Sequence, residues 1–327
     1  MTKRASEGAR VLVLVDPRAG TAAQALGIAE RLGVPFRTIP LAWSPLGGLA
    51  LRWPNLAGLA AEPRQAVREV PAGPSPLLVI SAGRRSVPAA LWLKRYRGAR
   101  AVHCMLPGFG AERFDLLVLG RHDEPWEAPN VLPILGATHR ITPARLAEAR
   151  AEWAERLAPL PRPRVALLLG GPVRAVGLDP GLASALGARV AGFAGSVMAS
   201  TSRRTGAAAT EALAAALASV PHHLFRWGEA GPNPYLGYLA WADAVVVSGD
   251  SVSMISEALA GSAPVFIADL GGGRGTKRKR RLHESLYAAG QARPIEAAPA
   301  PFARTPLDES LRVATEIRAR GLLDSEG

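Results

Sequence analysis

The chain has 327 residues, 48% apolar and 20% charged, which makes it globular and long enough for two domains. Its single cysteine, Cys104, excludes an intrachain disulfide framework, all but excludes a cysteine-based zinc site, and points to a reducing compartment. Lys plus Arg at 39 against Asp plus Glu at 27 give a net charge of +12, which reflects either an Ala-, Arg-, Gly- and Pro-rich composition or anionic partners, while aromatics at only 6% argue against nucleic acid.

The N-terminal MTKRASEGARVLVLVDPRAG resembles a signal peptide only superficially, because its apolar core, 11–15, is short and runs into Asp16 and Pro17. No stretch reaches the roughly 20 apolar residues of a membrane span. The expected location is cytoplasmic, with room for peripheral contact with an anionic inner-membrane surface. The six histidines are scattered without HExxH-type spacing, so neither a metal nor a cofactor is expected.

Apolar runs then alternate with helical patterns. The first half holds strand candidates at 10–16, 36–41, 77–81, 101–105 and 114–119, with helices over 21–32 and 86–96. The Pro- and Gly-rich stretch 40–76 shows no clear period. A charged helix over 142–157 leads into APLPRPR, whose alternating prolines read as a linker. The second half holds strands at 164–169, 196–200, 223–227, 244–248 and 264–268, with helices over 206–218, 234–241 and 251–260. A last helix covers 307–320. Strands buried on both faces and spaced by helices predict α/β architecture: two Rossmann-like domains whose parallel sheets face a cleft. The expected divisions are 1–157, a linker at 158–163, a second domain over 164–300, and a C-terminal helix and tail over 301–327.

Ligands of open α/β sheets bind beyond the carboxyl ends of strands, so the loops there hold the candidates. In DPRAGTAAQ (16–24), Gly20 and Gln24 either line an ordinary turn capped by Thr21 or admit a substrate close to the backbone. In SAGRRS (81–86), Gly83, Arg84 and Arg85 form either a solvated turn or an anion site. His122 has a pKa suited to a general base, as a lone loop histidine that is otherwise incidental. In STSRRT (200–205), Ser202, Arg203 and Arg204 supply the hydroxyl and guanidinium donors a diphosphate wants. GGGRGTK (271–277) lacks the Gly-Lys-Ser/Thr order of a P-loop, and KRKRR (277–281) reads as a solvated helix start or, more sharply, a membrane- or phosphate-facing one.

The stretch AVVVSGDSVSMISEALAGSAPVFI (244–267) is the richest. On a helix begun at Ser251, the residues Asp250, Ser253 and Glu257 share one face, and Val252, Ile255 and Leu259 share another. The polar stripe faces either water or a ligand. Ser251 and Ser253 suit a phosphate and Glu257 suits the two hydroxyls of a ribose. Asp250 is best explained as the helix cap, and its charge opposes a diphosphate at that end.

DPRAGTAAQALGIAERLG, SAGRRSVPAAL, ASTSRRTG, NPYLGYLAWADAVVVSGDSVSMISEALAGSAPVFI and KRKRRLHESLYAAGQARPI together resemble the mitochondrial-fission "elongated mitochondria" family. Bacterial members of that family are regarded as glycosyltransferases. The likeness covers about residues 10–295. The stretch with Ala242, Asp243, Ser248, Gly249, Glu257 and Pro264 is also similar to the donor motif of GT-B glycosyltransferases, such as the peptidoglycan N-acetylglucosaminyltransferase. That resemblance implies a metal-independent enzyme in which Glu257 holds the donor ribose and 249–251 face the diphosphate, with Asn233 on the donor side as well. Asp250 departs from the motif.

The expected function is transfer of a sugar from a nucleotide-diphosphate sugar to a glycan or lipid-linked envelope acceptor. Asp16 or His122 would be the base. The alternatives are a non-catalytic adaptor of the mitochondrial-fission type and an NDP-sugar epimerase.

Overall fold

The computed structural model describes residues 10–48, 52–72, 77–171, 177–270, 276–296 and 299–323. Its first elements are β1 (Val11–Val15), α1 (Ala19–Arg31), β2 (Phe36–Pro40), α2 (Ala61–Arg68), β3 (Leu78–Ala82), α3 (Val87–Arg97), β4 (Arg100–Cys104), β5 (Leu116–Gly120) and β6 (Val131–Ile134). There follow α4 (Pro143–Glu152), α5 (Ala154–Leu157), β7 (Arg164–Leu169), α6 (Pro180–Ala191), β8 (Ser196–Thr201), α7 (Ala207–Leu217) and β9 (His222–Phe225). The last are α8 (Tyr235–Trp241), β10 (Ala244–Ser248), α9 (Val252–Ala258), β11 (Val265–Ala268), α10 (Thr276–Ala288), β12 (Arg293–Pro294) and α11 (Glu309–Ala319). The chain divides into two compact units, Met1–Arg140 with Asp308–Gly327, and Ile141–Leu307.

In the first unit a parallel sheet of six strands runs β2-β1-β3-β4-β5-β6. Alternation sorts its side chains onto two buried faces. Leu12, Leu14, Val79, Ala101, Leu117 and Leu119 pack with α2 and α3 through Val67, Val87 and Leu91. Val11, Val13, Ile80, Val102 and Val118 pack with α1 and α11 through Ile28, Val313 and Ile317. Each buried Val, Leu or Ile side chain here stabilises the unit by about 1.5–3 kcal/mol. Asp308 fixes the return of the chain by pairing with Arg31 and by accepting from Leu311 N, which caps α11. Ser310 Oγ donates to His139 O and accepts from His139 N at 2.8 Å. Gly27 lies so close to that His139 carbonyl that no Cβ fits.

The second unit holds another parallel sheet of six strands, β12-β11-β10-β7-β8-β9. Val165, Leu167, Leu169, Val197, Val246 and Phe266 pack against α6 and α7 through Leu186, Val190, Leu213 and Leu217. The two helices approach closely because a Cβ at Gly187 would lie 2.9 Å from Leu213 Cδ1.

Two expected boundaries are corrected. The first domain was expected to run to 157, yet α4 and α5 belong to the second unit. Trp153 packs against Gly237 of α8, where a Cβ would lie 2.6 Å from its Cγ, and Trp241 Nε1 donates to Arg150 O at 2.9 Å. The expected linker 158–163 is a fixed strap within that unit. Pro161 O accepts from Ser196 Oγ at 2.6 Å, and Pro163 O accepts from Gly195 N at 2.9 Å. β6 was unforeseen because Pro133 interrupts a run of 4 residues.

Candidate functional site

The crossover direction in the second sheet reverses between β7 and β10, and ligands of such sheets bind outside the carboxyl ends of those strands. The loops after β7, β8 and β10 meet there. Ser248 Oγ accepts from Gly170 N at 2.7 Å, and Asp250 Oδ2 accepts from Gly171 N at 2.9 Å. Arg204 Nη1 pairs with the same Asp250 oxygen at 3.3 Å. Thr205 Oγ1, buried, reaches Leu169 O at 3.0 Å and Gly170 O at 2.6 Å, so it ties the β8 loop to the β7 loop. Ser202 Oγ accepts from Arg204 N at 3.2 Å and thereby shapes its own turn, while Arg203 is exposed.

The expected role of Asp250 as helix cap is corrected. Ser251 caps α9, accepting from Met254 N at 3.4 Å. Asp250 turns away from the helix toward Gly170, whose missing side chain leaves room for it. A Cβ there would lie 2.6 Å from both carboxylate oxygens.

Deeper on α9, Glu257 Oε2 accepts from Tyr235 Oη at 2.7 Å. Burial pushes the Glu257 carboxyl above its ordinary value, and the tyrosine hydrogen bond pulls it partly back. Burial, followed by the Glu257 charge, raises Tyr235 well above its ordinary value. Ile255 and Leu259 are buried as the apolar face requires, whereas Ser253 is half-buried. Asn233 is exposed and accepts from Tyr235 N at 3.0 Å, which starts α8. His283 of α10, buried, donates from Nε2 to Gly249 O at 2.8 Å, while Gly249 N donates to Ala268 O at 2.8 Å. The turn at 249–250 is therefore held from both sides.

Four of these residues escaped the sequence reading. Gly170 and Gly171 follow a strand that no motif marked. Tyr235 and His283 sit within helices, and nothing in their spacing announces partners 22 and 34 residues away.

In the first unit the order reverses between β1 and β3. Asp16 lies there, buried, but Arg18 already surrounds its carboxylate, with backbone N and Nε on Oδ1 at 2.9 Å each and Nη2 on Oδ2 at 3.2 Å. The bond raises the Arg18 pKa. Gly83, at φ 81°, is brought beside this loop, and a Cβ on it would lie 3.0 Å from Thr21 Cγ2. Gly20 is half-buried and Gln24 buried, both on α1. Arg84 and Arg85 are exposed, Arg84 lying over Gly108 and Arg85 standing 5.8 Å from the Trp43 ring.

His122 is not brought to Asp16. It is buried after β5, three strand spacings or about 14 Å from β1, with its Nε2 3.6 Å from Asp123 Oδ2. A second histidine of this unit, His103, is fully buried, bonded to Ser81 Oγ at 2.8 Å and stacked on Phe114. Burial lowers it to about 3, so it stays neutral.

Among the described residues no group of three or more His, Cys, Asp or Glu side chains could hold a metal ion, and no helix is long and apolar enough to cross a membrane. The P-loop-like residues 271–275 lie outside the described residues, and α10 begins directly after them.

Two parallel sheets, each reversing at a pair of loops, place the chain in the GT-B class of α/β folds. A solved structure of the glycotransferase of kitacinnamycin matches 96% of this chain and 94% of that one, with a TM-score of 0.52 at 14% identity. The UDP-GlcNAc 2-epimerase from Methanocaldococcus jannaschii matches 94% and 99%, with a TM-score of 0.50 at 12% identity. Identities this low show the fold alone.

The chain belongs to the mitochondrial fission ELM1 family, whose model matches residues 19–321. The mitochondrial fission protein ELM1 of Arabidopsis thaliana is 30% identical over 273 residues, 74% of this chain. That match spans only 63% of the Arabidopsis protein. The Rickettsia prowazekii (strain Madrid E) protein RP120 is 24% identical over 302 residues, covering 79% of this chain and 82% of that protein.

Proposed function

We propose that the second unit binds a nucleotide-diphosphate sugar at the carboxyl ends of β7 and β10, and that the chain is a glycosyltransferase acting on a glycan or lipid-linked acceptor. The observation that carries this reading is the meeting of Gly171 N and Arg204 on Asp250 at the reversal point of a Rossmann-ordered sheet, with the Glu257–Tyr235 pair on the helix that follows β10. An amide and a guanidinium suit the departing diphosphate, which needs positive charge and hydrogen-bond donors as its bond to the sugar breaks. A half-buried carboxylate held by a tyrosine suits the vicinal hydroxyls of a ribose, since it keeps lone pairs open for them. Asp16, taken up by Arg18, would act as base only after that contact opens. Gly20, Gln24, Gly83, Arg84 and Arg85 would then line the acceptor side of the first unit.

Titration calorimetry with UDP, GDP and dTDP and their sugars tests this. Binding of one of them, weakened by about 1–3 kcal/mol in Glu257→Ala, is the expected result. No binding by any member of the panel overturns the reading.

A second reading is an adaptor without catalysis, favoured by the match of 19–321 to a family described by mitochondrial fission. An adaptor keeps its cellular role in Glu257→Ala. A third, an NDP-sugar epimerase, is favoured by the fold likeness to such an enzyme. Product analysis with a nucleotide sugar and no acceptor separates it from a transferase, which needs one.

A further inference from the structure

The reversal point of the second sheet already holds an anion, and that anion is the protein's own. Asp250 Oδ2 takes the Gly171 amide at 2.9 Å and Arg204 Nη1 at 3.3 Å. These are the donor types that clamp a phosphate: a backbone amide at a strand end and a guanidinium fork. The arrangement is built. Gly170 is cut back to admit the carboxylate, and Thr205 fastens the Arg204 loop onto the carbonyls of Leu169 and Gly170. It is also incomplete, because Asp250 Oδ1 is buried with no hydrogen-bond partner among the described residues. A buried acceptor left unpaired is costly, so the carboxylate sits there at a strain that displacement would relieve.

We propose that Asp250 is an internal anion occupying the phosphate seat, and that an incoming diphosphate binds by displacing it from Gly171 N and Arg204. The ligand's place rests on the reading given above. Two consequences follow for what the seat accepts. A neutral group cannot displace a carboxylate from a guanidinium. A diphosphate can, since it brings more than one negative charge to Arg204. Asp250 thus sets selectivity for polyanions and holds their affinity down, because after displacement its charge stays close by.

The test is calorimetric titration of UDP and of inorganic pyrophosphate into the wild-type chain, Asp250→Asn and Asp250→Ser. Asn keeps the shape and one acceptor for Gly171 N, and Ser carries the test if Asn disturbs the fold. The expected result is tighter binding of both probes by about tenfold or more in the variants, as removal of a like charge near the ligand requires. Unchanged or weaker binding in both variants overturns the proposal. Pyrophosphate bound more tightly by the variants, with UDP no better than pyrophosphate, supports the internal anion and sinks the nucleotide reading. UDP bound by the wild type with no gain in either variant does the reverse. No binding of either probe to any of the three proteins sinks both.

Discussion

Glu257 is a carboxylate whose folded environment prefers the proton. Burial raises its pKa from an ordinary 4.5, so the folded state holds the proton more tightly than the unfolded state does. The sign is therefore opposite to that of a salt-bridged acid. Its contribution to stability is fully present below the unfolded value and is lost as pH rises through the raised one. Glu257→Gln keeps an acceptor for Tyr235 Oη and removes the charge. It should be more stable than the wild type at pH 7, and the gap should close below about pH 4.5. Thermal melts of both proteins between pH 4 and 7 check this, and a constant gap across that range would refute it. The type and place of this residue were legible in the sequence, because a lone acid on a helix after a buried strand stands out. Its partner was not, since Tyr235 comes from another helix, 22 residues away in the chain, and only the fold brings the two together. Asp250 was misread for a related reason. An acid before a helix is most often a cap, and only the absent side chain at Gly170 reveals the space into which it turns.

At the scale of the element, α9 is short, with 7 residues, and depends on what closes its ends. Ser251 closes the first. Arg304 closes the second, its guanidinium donating to Ala258 O at 3.1 Å, Leu259 O at 2.9 Å, Gly261 O at 2.6 Å and Ala263 O at 2.8 Å. Burial among these carbonyls lowers the arginine to about 10, still charged at neutral pH. Arg304→Ala should destabilise the second unit by about 2 kcal/mol or more, because the orphaned carbonyls lose a charged donor. Arg304→Lys should recover little, since an ammonium cannot span the four acceptors of a planar fork. Denaturant unfolding of the three proteins measures both effects, and a full recovery by Lys would contradict this account. Most strands and helices here were legible from apolar periodicity. The exceptions are α2, α6, β6 and β12: α2 lies in the Pro- and Gly-rich stretch 40–76, Pro133 interrupts β6, Gly181 and Gly187 mute the pattern of α6, and β12 has only 2 residues.

At the scale of the whole chain, periodicity and strand spacing identified two α/β units but misplaced the chain between them. Where a chain crosses from one core to another depends on long-range packing that local pattern does not carry. Helix α11 packs with α1 on the same face of the first sheet, and Val313, Ala314 and Ile317 are fully buried. Removal of residues 308–327 should therefore expose Ile28 and its neighbours and unfold the first unit, while the unit Ile141–Leu307 keeps its structure. Limited proteolysis of the truncated chain reads this directly: the surviving fragment should begin near residue 141.

That last helix also sets a clock. The chain leaves the ribosome from its N-terminus, yet the unit that begins it lacks a face until residue 319 has emerged. Ile141–Leu307 is continuous and has every strand it needs as soon as it is made. The later-made unit should thus reach its native form first, reversing the usual order of synthesis and folding. Until then the earlier one waits with an apolar face uncovered.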